Sequence, residues 1–131
     1  MANISQKITF KASPQDIYDL LTNEKKFAEI TDASAKIDAR VGGNFSVWND
    51  YATGKFNKLI AGKEIIQSWR ASDWPDGAES KVTITLTAKG DGCMLHFTQT
   101  GVPEEFTKDI EQGWQDYYWS LMQKYLEQKN V

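Results

Sequence analysis

The sequence predicts an α+β domain in which helices cover one face of an antiparallel sheet. Three observations predict it. Alternating apolar residues run through the middle of the chain, helical periodicity is confined to its two ends, and the later strands are joined by hairpin-length connections. The length of 131 residues suits one compact domain, 1–131, large enough to bury a core without staples.

The first element is a strand in "ISQKITFKA". Ile4, Ile8 and Phe10 share one parity, with Gln6 interrupting, and Lys7, Thr9 and Lys11 take the other. "SPQD" then starts a helix: Ser13 caps, Pro14 fits the first helical position and Asp16 sits three residues after the cap. Ile17, Leu20 and Leu21 form its apolar face. Thr22 or Asn23 caps a second short helix that buries Phe27 and Ile30. A short helix pair therefore follows strand one.

"GG" at Gly42 and Gly43 opens the rest of the sheet. "NFSVWND" puts Phe45 and Val47 on one face. "GKFNKLIAG" and "EIIQSWRAS" are two further strands; Ile65 and Trp69 share a face and Ile66 takes the other. In "SKVTITLTAKG", Val82, Ile84, Leu86 and Ala88 alternate with Thr83, Thr85 and Thr87. "KGDG" is a hairpin turn. "CMLHFTQT" returns with Cys93, Leu95 and Phe97 on one side, and Pro103 ends the strands.

The last segment, from about Glu104 to Gln128, reads as one long helix. At roughly 100° per residue, Ile110, Trp114, Tyr117, Tyr118, Leu121 and Tyr125 form an inward stripe with Met122 at its edge. Gln112, Asp116, Gln123 and Glu127 lie opposite, and Trp119 points away from the stripe toward its polar edge. About 24 helical residues span roughly 36 Å, enough to cross a whole curved sheet.

Composition narrows the function classes. The net charge is −3 and the lysines are scattered, which disfavours nucleic acid as a partner. No apolar run approaches the roughly 20 residues that cross a bilayer, and "MANISQKITF" lacks the pattern of a secretory signal. The single cysteine, Cys93, fits a reducing compartment, and the expected location is cytoplasmic. One histidine and one cysteine leave no tetrahedral zinc site, so no metal or other cofactor is expected. His96 sits mid-strand on the face opposite Leu95 and Phe97 and has no carboxylate to orient it, so no catalytic residue is assigned. "QSWRASDWPDG" is the most distinctive stretch. Arg70 stacked on an indole, with Trp74 covering a sheet edge, would hold this corner together.

"VGGNF", "TGKF", "EIIQSWRASDWPDG", "TITLT", "GVPEE" and "QGWQDYYW" follow one another in a recognisable order. From about Phe10 to Leu126 the chain resembles the C-terminal domain of the activators of the 90-kDa heat-shock protein ATPase, in the START-like (SRPBCC) superfamily of helix-grip folds. The resemblance implies a curved antiparallel sheet of six or seven strands around a long C-terminal helix. It also implies a space between them that can hold an apolar ligand, and a heat-shock chaperone as a partner.

Two readings of the interior follow. In one, the aromatic stripe and the strands enclose a cavity for a small hydrophobic ligand. Its strand side is Phe45, Val47, Phe56, Ile65, Trp69 and Ile84, continued by Leu86, Leu95 and Phe97. Its helix side is Trp114, Tyr118 and Met122. Buried tyrosine hydroxyls need partners, so such an interior invites water or the polar end of a ligand. In the other, the same side chains fill the core, since each is worth about 1.5–3 kcal/mol on burial. Trp74 and Trp119, expected to be exposed, are the natural anchors for a chaperone surface. A cyclase or aromatase activity, found elsewhere in the superfamily, is the third alternative.

Overall fold

Helix signals and strand signals separate along the chain as the periodicity predicts. The computed structural model describes residues 2–129. Strand β1 (Ala2–Phe10) leads into helices α1 (Pro14–Thr22) and α2 (Glu24–Thr31). Six strands follow: β2 (Ala35–Ile37), β3 (Asn44–Val47), β4 (Ala52–Ile60), β5 (Glu64–Ala71), β6 (Ser80–Lys89) and β7 (Gly92–Val102). A 3-10 turn at Glu104–Phe106 then opens the last helix. That helix comprises α3 (Thr107–Trp114), a π-helical turn (Gln115–Trp119) and α4 (Ser120–Lys129).

Local chemistry sets the helix starts. The Ser13 Oγ accepts from the Asp16 N–H at 3.1 Å with Pro14 in the first turn. Of the two expected caps for α2, Asn23 is the one used: its Oδ1 accepts from the Lys26 N–H at 3.0 Å. Thr22 instead bonds back to the Tyr18 carbonyl at 2.8 Å.

The seven strands form one sheet in the order β1-β7-β6-β5-β4-β3-β2, and every pairing is antiparallel. β2 completes the six or seven strands expected, though none of the six segments identified by alternation covers it. It is only three residues long, too short to show an alternating pattern. Hairpin β6–β7 closes through Gly90 and Asp91, with Lys89 opposite Gly92, and Gly90 takes φ +59°. One face of the sheet carries Ile4, Phe10, Phe45, Val47, Phe56, Ile65, Trp69, Val82, Ile84, Leu86, Cys93, Leu95 and Phe97, all buried. The helices lie on that face, with Ile17, Leu20 and Phe27 buried against it. Ala88 departs from the expected pattern and is exposed, because it lies at the hairpin end of β6.

The last helix departs from its wheel. Trp114, Tyr118, Trp119 and Met122 are buried, Leu121 and Tyr125 are half-buried, and Tyr117 is 58% exposed. The cause is the π turn. A π turn closes i to i+5, so it holds one more residue than an α turn and advances the register by about one position. Trp119 therefore comes to lie over Trp114, with ring centroids 5.5 Å apart and planes at 23°. Tyr117 is rotated outward. Trp119 is thus not an exposed anchor.

Two glutamines of the sheet receive the two indoles of this helix. Gln99, fully buried in β7, accepts from Trp114 Nε1 at 2.9 Å and donates to Ser80 Oγ at 2.8 Å. Ser80 Oγ in turn donates to the Trp69 carbonyl at 2.7 Å. Gln6 in β1 accepts from Trp119 Nε1 at 2.6 Å and donates to the Glu111 carbonyl at 2.9 Å. That carbonyl precedes the π turn, where the Gln115 N–H reaches only three residues back, to Gln112. The glutamine that interrupts the apolar parity of β1 therefore ties the last helix to the sheet through both an indole and a backbone carbonyl.

Candidate functional site

The tryptophan-rich corner forms one wall of the site. Arg70 does not stack on an indole. Its guanidinium donates to the carbonyls of Pro75, Ala78 and Trp74 at 2.9, 2.9 and 3.1 Å. Three charge-assisted bonds to one turn fold residues 74–78 back over β5. Trp74 is carried inward against Trp69, edge to face at 5.4 Å, and is 3% exposed. Like Trp119, it is buried where exposure was expected, because the turn it belongs to packs onto the sheet.

Between the last helix and the middle of the sheet there is little space. Eight of the twelve expected lining residues (Phe45, Val47, Phe56, Ile65, Trp69, Ile84, Trp114 and Tyr118) surround a void of about 30 Å³. That is room for about one or two waters. Leu86, Leu95, Phe97 and Met122 are packed into the core. The strands are drawn close by ring packing: Gly54 lies beneath the Phe45 ring, where a Cβ would approach its edge to 2.6 Å, and Phe45 meets Phe56 at 5.4 Å.

A second space lies at the rim, beside the first half of the last helix. A cleft of about 270 Å³ is bounded by Trp48 and Tyr51 of the β3–β4 turn and by Trp69 of β5. Asp109, Ile110, Gly113, Trp114, Tyr117 and Tyr118 of the last helix complete it. Trp69, Trp114 and Tyr118 belong to both the void and the cleft, so they form the floor that separates them. Trp48 meets Tyr117 and Tyr118 edge to face at 5.7 and 5.8 Å.

The turn carrying Trp48 is conformationally unusual. Trp48, Asn49 and Asp50 all take positive φ, at 58°, 56° and 71°. Asparagine and aspartate tolerate this region; a bulky tryptophan seldom enters it. The conformation is held from outside. Asn49 Oδ1 accepts from the Ser34 N–H at 2.9 Å, and the Asn49 N–H donates to the Ser34 carbonyl at 3.2 Å. The Ser46 hydroxyl donates to the Asp50 carboxylate. Strain of this kind persists where surrounding contacts over-determine it, and it concentrates at binding sites.

The polar groups of the floor are incompletely used. Trp69 Nε1 and Tyr118 OH are buried and make no hydrogen bond in good geometry. Burial pushes the Tyr118 phenol well above its ordinary value, and the nearby Trp48 and Trp69 indoles offset this in part. At the mouth, burial raises Tyr51, with the Asp73 and Asp109 carboxylates and a hydrogen bond to Asp73 acting in the same direction.

A test of the Tyr118 assignment follows. Its raised folded value means that the stability it contributes is present below pH 10 and is lost as pH rises from 10 through the folded value. Tyr118→Phe keeps the ring and removes an unpartnered hydroxyl. Stability at pH 7 should change by less than about 1 kcal/mol, and the loss above pH 10 should become shallower, with Tyr18 and Tyr51 supplying the remainder. Denaturant melts at both pH values check this. A penalty above about 1 kcal/mol at neutral pH would show that the hydroxyl has a partner after all.

Other candidates lie elsewhere. His96 points to the outer face of the sheet, with its Nε2 3.3 Å from Ser5 Oγ. Cys93 is fully buried and burial raises its thiol. Among the described residues no group of three or more His, Cys, Asp or Glu side chains could hold a metal. No helix among them is long and apolar enough to cross a membrane.

Together these features define a START-like protein of the helix-grip class, a curved seven-stranded sheet closed by a long C-terminal helix. The family model described as "Activator of Hsp90 ATPase homolog 1-like protein" matches residues 11–127, and the chain belongs to that family. It is 32% identical over 115 residues to the human activator of 90 kDa heat shock protein ATPase homolog 1, covering 88% of this chain and 34% of that protein. It is 34% identical over 109 residues to the Dictyostelium discoideum activator, covering 82% of this chain and 28% of that one. The chain thus spans about a third of the length of these relatives. The crystal structure of an HSP90 activator from Plasmodium falciparum superposes with a TM-score of 0.90 at 18% identity, covering 97% of each chain.

Proposed function

We propose that this chain is a non-enzymatic binding protein whose small, largely apolar ligand sits in the rim cleft. The observation that carries the reading is the pair of unpartnered buried donors, Trp69 Nε1 and Tyr118 OH, on the floor of a cleft otherwise walled by rings. Buried polar groups without partners are uncommon in folded proteins and point to water or ligand. The volume falls just below the roughly 300–1,000 Å³ of drug-sized ligand sites, which favours a compact ligand over a long acyl chain. The outward position of His96 supports a binding role over a catalytic one.

Nile red titration tests this, together with native mass spectrometry of protein purified from cells. Saturable dye binding is expected, and Trp48→Gly should reduce it at least about tenfold. Glycine removes one wall while suiting φ 58°, so the fold should survive. An apo mass together with no dye binding would remove the reading.

A second reading, association with a heat-shock chaperone through the surface, is supported by the curated relatives, which are named as activators of its ATPase. Since Trp74 and Trp119 are buried, its contacts would lie elsewhere, with Tyr117 the most exposed aromatic of the last helix. Failure to retain the 90-kDa chaperone in a pull-down at high protein concentration would count against it.

A further inference from the structure

The chemistry of the cleft discriminates among ligands by charge. Six aromatic side chains line it: Trp48, Tyr51, Trp69, Trp114, Tyr117 and Tyr118. The one ionisable group among its other lining residues is the Asp109 carboxylate, and no lysine or arginine lines it. A second carboxylate, Asp73, hydrogen-bonds Tyr51. Ring faces carry negative quadrupolar potential and attract cations, most strongly where water is excluded. Carboxylates at the mouth add to that potential, and both together oppose an anion such as a fatty acid. The floor has the opposite character. Trp69 Nε1 and Tyr118 OH make no well-formed hydrogen bond, the Trp69 indole being only loosely engaged with the phenol oxygen, so the inner end of the ligand should carry an acceptor oxygen or nitrogen.

We propose that the cleft selects a small organic cation, a methylated ammonium with a hydrogen-bond acceptor a few bonds away. The ammonium sits among Trp48, Tyr51 and Tyr117 near Asp109, and the acceptor meets the Trp69 and Tyr118 donors. This rests on the rim cleft being a ligand site, and the test separates the two claims.

Choline and its neutral isostere 3,3-dimethylbutanol share shape and hydroxyl acceptor and differ in charge. Isothermal titration of each into the full chain should show choline binding at least about tenfold more tightly. Asp109→Asn, at an exposed position, should weaken choline about fivefold or more and leave the isostere unchanged. Equal or tighter binding of the neutral isostere overturns the cation assignment and leaves an apolar ligand cleft. Nile red binding without choline binding does the same. Absence of binding by all three probes removes the ligand reading itself, and the cation assignment with it.

Discussion

Replacing Trp114 by alanine should cost about 4 kcal/mol or more of stability in denaturant melts. Trp114 is 3% exposed and stands at the centre of the aromatic cluster, 4.0 Å from Tyr118, 4.4 Å from Phe97 and 5.6 Å from Trp69 between ring centroids. Truncating a buried aromatic of this size costs about 3–5 kcal/mol from lost burial and the cavity left behind. The same change strands Gln99 Oε1, whose partner is the Trp114 indole, at about 1–3 kcal/mol more where relaxation does not rescue it. Trp114→Phe separates the two contributions, because it keeps most of the ring and removes the donor. It should cost about 1–3 kcal/mol. A loss below about 1 kcal/mol for the alanine variant would show that the helix is not anchored at this position.

The second large effect belongs to Gln99, a residue with no apolar value. Gln99→Leu removes the acceptor for Trp114 Nε1 and the donor to Ser80 Oγ at a fully buried position. The expected cost is about 2–3 kcal/mol despite the better hydrophobicity of leucine. Gln6→Leu makes the parallel change at the outer latch. Gln6 is half-buried, so water can replace its bonds, and the cost should stay below about 1 kcal/mol. The double variant Gln99→Leu with Trp114→Phe should cost less than the sum of the singles, because the second change removes the group that the first leaves unpaired. A neutral Gln99→Leu, or equal costs at Gln6 and Gln99, would show that the buried bonds do not hold the helix.

The sequence carries the sheet and helix order because its alternation is strong where one face is buried. Val82, Ile84 and Leu86 against Thr83, Thr85 and Thr87 leave little choice of face. Ser13 and Asn23 mark two helix starts by the bonds their side chains can make. The last helix was less legible because a fixed 100° advance cannot anticipate a π turn. That single turn explains both misplacements, Tyr117 outward and Trp119 inward. Gln6 offered a clue, since a glutamine on the apolar parity of an edge strand needs a polar partner across the interface. Trp74 turns inward because the Arg70 guanidinium, instead of stacking on an indole, serves three carbonyls of the turn, an arrangement that the local sequence pattern does not encode.

A third of the cleft's lining was legible: Trp69, Trp114 and Tyr118, expected around a cavity between sheet and helix, line the rim cleft. Trp48, Tyr51, Asp109, Ile110, Gly113 and Tyr117 were not expected there, because they converge from a turn and a helix whose meeting depends on tertiary packing. The "WND" stretch held the local signal: an Asn-Asp pair suits a left-handed turn, which re-aims the tryptophan before it.

The five tryptophans allow one measurement of the whole arrangement, the indole N–H signals in a proton–nitrogen correlation spectrum. Trp114 and Trp119 donate to Gln99 and Gln6, whereas Trp69 makes no well-formed hydrogen bond. On titration with a cleft ligand, the Trp69 and Trp48 signals should move while Trp114 and Trp119 change little, and Trp114 should exchange with solvent most slowly. Movement of Trp114 or Trp119 with Trp69 unchanged, or rapid exchange at Trp114, would contradict a helix latched to the sheet by two glutamines beside a ligand cleft floored by Trp69.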